Sequence, residues 1–224
     1  MQYCAAAPVA KLVPYSESLL SRCGTDGHRY CELYLSMAHP RLSAEEVDGI
    51  QMPGWLHYAA NHMWLDVTDD GTCHAGIDAF LSRALGTVQQ IAYVWQTGEH
   101  RPAAVLTAGG AEFEVVFPNT FLLTKCNLYL RADPAKLTAE PYTGGWLFEG
   151  VPQPDTTQSL LRGEPARSWM EQEQRRINEF LQAGSYAADG GMFRPNLCGL
   201  LERDRMRALF HEFFSPYAGG KREK

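Results

Sequence analysis

A chain of 224 residues, 45% hydrophobic and 21% charged, has the make-up of a globular protein, long enough for one large domain or a domain of about 100 residues with extensions. The net charge of −6, with no basic stripe, argues against nucleic acid as a partner. No apolar run approaches the roughly 18–20 residues of a membrane span, so no membrane role is expected. In chain order, residues 1–53 read as a helical segment that contains three cysteines. Its start, Met1-Gln2-Tyr3-Cys4-Ala5, has neither a basic n-region nor an apolar h-region, so a secretory signal is not expected and a cytoplasmic location is. Ser16 is placed to cap a short helix running to Cys23, which Gly24-Thr25-Asp26-Gly27 would break. A second helix is expected from His28 to about Ala38, ended by His39-Pro40. Ser43-Ala44-Glu45-Glu46 has the form of a capping box.

Residues 54–150 change character. The runs Ile91 to Trp95, Ala103 to Thr107, Glu112 to Phe117 and Leu122 to Leu130 are rich in valine, phenylalanine and tyrosine, as half-buried strands are. Between Ala103 and Pro118 two strands meet across Gly109-Gly110. Paired glycines supply the positive φ angles that a tight hairpin needs. One helix interrupts the strands, Ala79 to Leu85, with Asp78 placed to cap it. Asp69-Asp70-Gly71 reads as a turn rather than a carboxylate pair.

After Gly150 the composition shifts again, and residues 151–224 read as a helical extension. Val151-Pro152-Gln153-Pro154-Asp155 is a linker, because its prolines suit neither helix nor central strand. Glu164-Pro165 opens a helix with proline in the first turn, and Gly184 closes it. Ala166, Trp169, Met170, Ile177, Phe180 and Leu181 share one face, with Arg167, Glu171, Gln174, Arg175 and Asn178 opposite. A last helix, about Glu202 to Phe214, spaces Met206, Leu209, Phe210 and Phe213 helically. So many large apolar side chains must be covered, either by the central domain or across a homodimer built on the same helices.

Several short motifs point to a family. His62-Met63-Trp64-Leu65, Ala75-Gly76-Ile77-Asp78-Ala79-Phe80 and Ala84-Leu85-Gly86 resemble the H-x-W-V start, the V-G-I-T-x-Y/F-A stretch and the following A-L-G of the glycine cleavage system H protein. Asn127, Pro134 and Pro141-Tyr142-Thr143-Gly144-Gly145-Trp146-Leu147 are similar to its N…P…D-P-Y-G-x-G-W-L close. The resemblance implies a lipoyl-type barrel-sandwich hybrid of two small packed β-sheets; with the N- and C-terminal helical extensions read above, the expected fold class is α+β. The resemblance also implies a lysine on the hairpin tip, within E-S-V-K-A, that carries a lipoyl group.

That lysine is missing. Counting back without a gap from Pro118 and Asn127 puts Gly110 at its position, and no lysine occurs between Lys11 and Lys125. Lys125 sits two residues before Asn127, on the returning strand. Carrier chemistry belongs to the cofactor and the protein's part is to present it, so without an amine neither lipoate nor biotin is expected. The expectation is a non-lipoylated binding or regulatory module, acting on a protein partner or a small-molecule ligand, and not an enzyme. Nucleophile elbows, P-loops and dinucleotide fingerprints are absent.

One other cluster of chemistry stands out. Cys4, Cys23, Cys31 and His28 bring soft and borderline donors into one short segment, a set that suits zinc or an iron–sulfur cluster. There is no C-x-x-C pair among them, and buried free thiols are the alternative. A redox- or metal-responsive protein on the same scaffold is therefore the second functional expectation. Cys73, Cys126 and Cys198 read as core thiols. His57 and His62, five residues apart, do not share a helical face.

Overall fold

The computed structural model describes residues 2–3, 12–13, 45–68, 71–94, 99–182 and 193–216. The expected helices from Ser16 and His28, the Asp69-Asp70 turn and the stop at Gly184 lie outside those residues. Two residue pairs near the start form a minimal ladder, β1 (Gln2–Tyr3) with β2 (Leu12–Val13). Ser43 and Ala44 of the expected capping box also lie outside the described residues. Glu45–Val47 is strand β3, paired with β4 (Ile50–Met52). Asp48 and Gly49 join them with φ of 47° and 81°, the two positive values of a two-residue primed turn. Val47, Ile50 and Met52 are buried, so alternation across this hairpin outweighs the local helix signal.

The rest of the β-structure falls into two antiparallel sheets. A six-stranded sheet has the order β5-β6-β7-β13-β12-β9, from β5 (His57–Tyr58), β6 (Met63–Val67), β7 (Cys73–Ile77), β9 (Glu99–His100), β12 (Phe121–Cys126) and β13 (Trp146–Pro152). A three-stranded sheet has the order β11-β10-β8, from β8 (Val88–Val94), β10 (Ala103–Ala108) and β11 (Ala111–Val116). Their inner faces share one core. Tyr93 meets Phe148 with ring centroids 6.1 Å apart, and Phe117 meets Phe121 at 5.5 Å. This is the expected α+β class, with the small packed sheets that the resemblance implies, although the sheets keep open edges and do not close into a barrel.

Between β7 and β8 lies α1 (Ala79–Leu85). Asp78 caps it as expected, accepting from the Leu81 amide at 2.9 Å. The strand expected to run to Leu130 stops at Cys126. There the Asn127 carbonyl accepts the Leu130 amide and the chain turns into α2 (Tyr129–Ala132), followed by α3 (Lys136–Ala139). The side chain of Asn127 explains the stop: its amide donates to the carbonyls of Gly144 and Trp146 at 2.9 and 2.8 Å, which fixes the loop before β13.

The extension packs on this chain's own sheets. Tyr58 and Leu161 exchange backbone hydrogen bonds of 2.7 and 2.8 Å, extending the edge at β5. The long helix α4 (Glu164–Gln182) buries Ala166, Met170, Ile177 and Leu181, the expected stripe. Gln174, expected on the solvent side, is buried instead, because its Nε2 donates to the Val47 carbonyl of β3 at 2.6 Å. A short helix α5 (Leu197–Leu200) and then α6 (Arg203–Phe213) complete the described chain. Met206, Leu209 and Phe213 of α6 are buried, and Phe210 stacks on Phe113 of β11 with centroids 4.4 Å apart.

Candidate functional site

The β10–β11 hairpin closes as its sequence demands. Ala108 pairs with Ala111, leaving a two-residue turn at Gly109 and Gly110 with φ of 57° and 76°. Both values favour glycine, since a Cβ in the left-handed region crowds the backbone. The two glycines have different surroundings. A Cβ on Gly110 would meet nothing within 4 Å. One on Gly109 would collide with the main-chain carbonyl of Cys198 in α5. The tip therefore offers no side-chain amine, and one side of it lies directly under the C-terminal helices. Sequence alone could not show that cover, because the contact joins residues far apart in the chain. Lys125 is elsewhere: on β12, its Nζ lies 2.7 Å from Oε1 of Glu149.

The α5 segment is held against the sheets by α1. The Asn196 amide donates to the Arg83 carbonyl at 2.8 Å, and the Arg83 Nε donates to the Phe193 carbonyl at 3.1 Å. The Arg83 guanidinium also lies 5.1 Å from the Phe193 ring centroid, and the Phe193 ring lies 4.8 Å from that of Phe80.

Cys4, Cys23, Cys31 and His28 lie outside the described residues. Among the described residues, no group of three histidine, cysteine or acidic side chains is arranged to hold a metal ion. Cys73, Cys126 and Cys198 are free thiols; burial pushes them up to about 12, 11 and 12 respectively, which keeps them protonated and unreactive at neutral pH.

Two buried histidine networks were not visible in the sequence. At the β7–β13–β12 step, His74 Nε2 lies 3.2 Å from Glu149 Oε2, and Lys125 holds the other carboxylate oxygen. The His74 hydrogen bond and Lys125 hold the Glu149 carboxyl below its usual range, against the burial that raises it. The second network surrounds His62, which is fully buried with a φ of 61°. Its Nδ1 lies 2.8 Å from Asp78 Oδ2, and its Nε2 faces Glu173 Oε2 at 3.7 Å. Burial lowers the pKa of this imidazole, but the Asp78 carboxylate and then Glu173 outweigh it and leave the value raised.

The glycine cleavage H-protein profile matches residues 56–173, more than half of the chain. The chain belongs to the glycine cleavage H-protein family. Among relatives, the glycine cleavage system H protein of Psychrobacter sp. (strain PRwf-1) is 32% identical over 117 residues, 50% of this chain and 93% of that protein. The H protein of Mycobacterium avium (strain 104) is 33% identical over 107 residues, 44% of this chain and 76% of that one. A crystal structure of an H protein from Mycobacterium marinum superposes with a TM-score of 0.47 at 23% identity, covering 55% of this chain and 98% of that chain.

The H-protein motif residues are hydrogen-bonded framework in this chain. Trp64 of the H-x-W motif donates its Nε1 to the carbonyls of Ile77 and Pro141 at 2.9 and 3.1 Å. Gly76 leaves room for that indole, since a Cβ there would lie 2.7 Å from the ring. Tyr142 of the closing H-protein motif accepts from the Ala79 amide at 2.9 Å and donates to the Gln51 carbonyl at 2.7 Å, joining α1 to the β3–β4 hairpin. Beside that junction lies an open groove of about 650 Å³, lined by Ile50, Gln51, Arg83, Thr87, Thr138 and Pro195 among others. No helix of the described residues is long and apolar enough to cross a membrane.

Proposed function

We propose that this chain is a non-lipoylated member of the H-protein family that works as a binding or regulatory module, and neither as an aminomethyl carrier nor as an enzyme. The observation that carries the proposal is the hairpin tip. Gly109 and Gly110 occupy the whole turn; Gly110 stands where the resemblance implies a presented lysine, and α5 abuts its neighbour Gly109. An amide-linked lipoyl group needs a side-chain amine, and the tip residues do not fit one. What remains is a framework with a long C-terminal helix and an open groove between the β3–β4 hairpin, α1 and α3. That groove is a place for a small-molecule or peptide ligand, consistent with function residing in sites rather than in folds.

The test is co-expression with a lipoate ligase, read by intact mass. The expected mass is that of the unmodified chain. A gain of one lipoyl group, mapped to any lysine, would overturn the proposal. The Gly110→Lys variant is expected to remain unmodified as well, because Ala108, Gly109 and Ala111 do not reproduce the E-S-V-K-A surroundings and α5 stands against the turn.

A further inference from the structure

A line of alternating charge runs from the sheets to the last helix. Asp78, at the β7–α1 junction, faces His62; His62 faces Glu173 of α4; Glu173 Oε1 is 2.5 Å from Nη1 of Arg176; and Arg176 Nη2 is 3.2 Å from Oε1 of Glu212 on α6. The other side chains packed on the imidazole are rings: Phe80 of α1 stacked at 4.1 Å, Trp169 of α4 at 4.8 Å and Phe214 after α6 at 5.4 Å. The hydroxyl of Tyr142 lies near enough to Asp78 to sense its charge. His62 and Asp78 are wholly buried, and Glu173 is 4% exposed.

The chemistry of the central step decides what the line does. Nδ1 serves Asp78, so Nε2 is the atom turned toward α4. Neither Nε2 nor Glu173 Oε2 has a hydrogen-bond partner, and both are buried. With His62 protonated, an N–H and a positive charge face the carboxylate. With His62 neutral and its proton on Nδ1, a lone pair faces a carboxylate oxygen across 3.7 Å in a site shut off from water. Buried groups of that kind are costly when left uncompensated. The contact of α4 with His62, one of those that hold the helix to the sheets, thus depends on one proton. Because Arg176 and the Phe180–Phe213 contact at 5.9 Å bind α6 to α4, the cover over the hairpin tip depends on it too.

We propose that His62 is a protonation latch, which when charged holds α4–α6 down over the β10–β11 tip and when neutral lets the α5–α6 segment lift from it. The test uses the full chain labelled with ¹⁵N at histidine, asparagine and glycine, followed by NMR from pH 5.5 to 9. The reporters are the Asn196 amide, bonded across to Arg83, and the Gly199 amide within α5; Gly145, whose amide donates to the Glu140 carbonyl away from α5, is the reference. The expected result is that the His62 ring titrates above 6.5, the ordinary value for histidine. Exchange of Asn196 and Gly199, corrected for hydroxide, should then rise about tenfold or more with the same midpoint, while Gly145 does not change. Glu173→Gln should lower the ring and amide midpoints together by about 1 pH unit or more, as loss of a nearby opposite charge does. Titration of His62 with flat Asn196 and Gly199 exchange would overturn the latch, as would a ring that stays in one protonation state throughout. If Glu173→Gln does not fold, coincidence of the wild-type midpoints decides alone.

Discussion

Single residues show two kinds of information, one local and legible, the other tertiary and hidden. Asp78 could be assigned as a cap from sequence because its partner, the Leu81 amide, is three residues away. Asn127 matched a motif, but its task, holding the Gly144 and Trp146 carbonyls, became visible only with the loop in place. Asn127→Ala should cost about 1–3 kcal/mol, the penalty of leaving buried polar groups unpaired, read as a shift of the urea midpoint at unchanged slope. Residue type puts Gln174 on the solvent face, whereas the edge carbonyl of Val47 gives the amide a buried partner. His62 and Glu173 are separated by most of the matched region, and no periodicity links them. Their effects on stability have opposite signs in pH. His62, with its pKa raised on folding, contributes fully below about 6.5 and loses that contribution as pH rises through the raised value. For Glu173, burial raises the pKa but His62 and Arg176 outweigh it, so its contribution is present above the usual carboxylate value and fades as pH falls through the lowered one. Stability measured by denaturant across pH 3–10 should therefore be greatest between those limits. In Glu173→Gln the decline on the alkaline side should be smaller and end at lower pH.

Secondary-structure elements were most legible where turn chemistry and periodicity agreed. The Gly109-Gly110 hairpin, α1 and the apolar faces of α4 and α6 all satisfy that condition. The β3–β4 hairpin did not, because Ser43-x-x-Glu46 resembles a helix start while Asp48-Gly49 is a strong turn signal two residues later. Turn glycines also separate two effects that one variant would confuse. Gly110→Ala places a Cβ in open space at a φ of 76°, so only backbone strain applies, about 1–2 kcal/mol. Gly109→Ala adds a collision with the Cys198 carbonyl, which can be relieved only by moving α5. Thermal unfolding should rank Gly109→Ala well below Gly110→Ala, and only Gly109→Ala should increase the exchange of the Asn196 and Gly199 amides. Equal melting temperatures would mean that α5 yields freely and does not press on the tip.

At the scale of the whole molecule, the family match and the packing do not end together. The match stops at residue 173, inside α4, while the covering of the core continues to Phe214. Motifs reveal what a chain shares with relatives, so the sheets were legible, whereas the apolar faces of the last helices showed only that they need cover, not that this chain's own core supplies it. That docking is extensive. Phe193, Leu197, Leu209, Phe213 and Phe214 are all buried in the core they share with Phe80 and Phe113. Fully burying each such side chain stabilises by roughly 1.5–3 kcal/mol, against a net stability near 5–15 kcal/mol for a typical domain. Loss of five therefore removes an amount comparable with the entire stability, even before α4 is counted. A chain ending at Gly163 would also leave His62 without Glu173, strip Trp169 from its ring and expose the apolar side of α1. Its expected fate is insolubility, or a melting temperature lowered by well over 10 °C, since about 1 kcal/mol moves the midpoint of a domain this size by roughly 2–4 °C. A shorter cut after Gln182 keeps α4 and removes only α5 and α6. Because it removes those same five side chains, that variant is also expected to be insoluble or to melt well over 10 °C lower, with the retained α4 alone limiting the loss. An unchanged melting temperature after the Gly163 cut would show the extension to be an independent appendage, and the burial of Phe80 and Phe113 beneath it to be without energetic consequence.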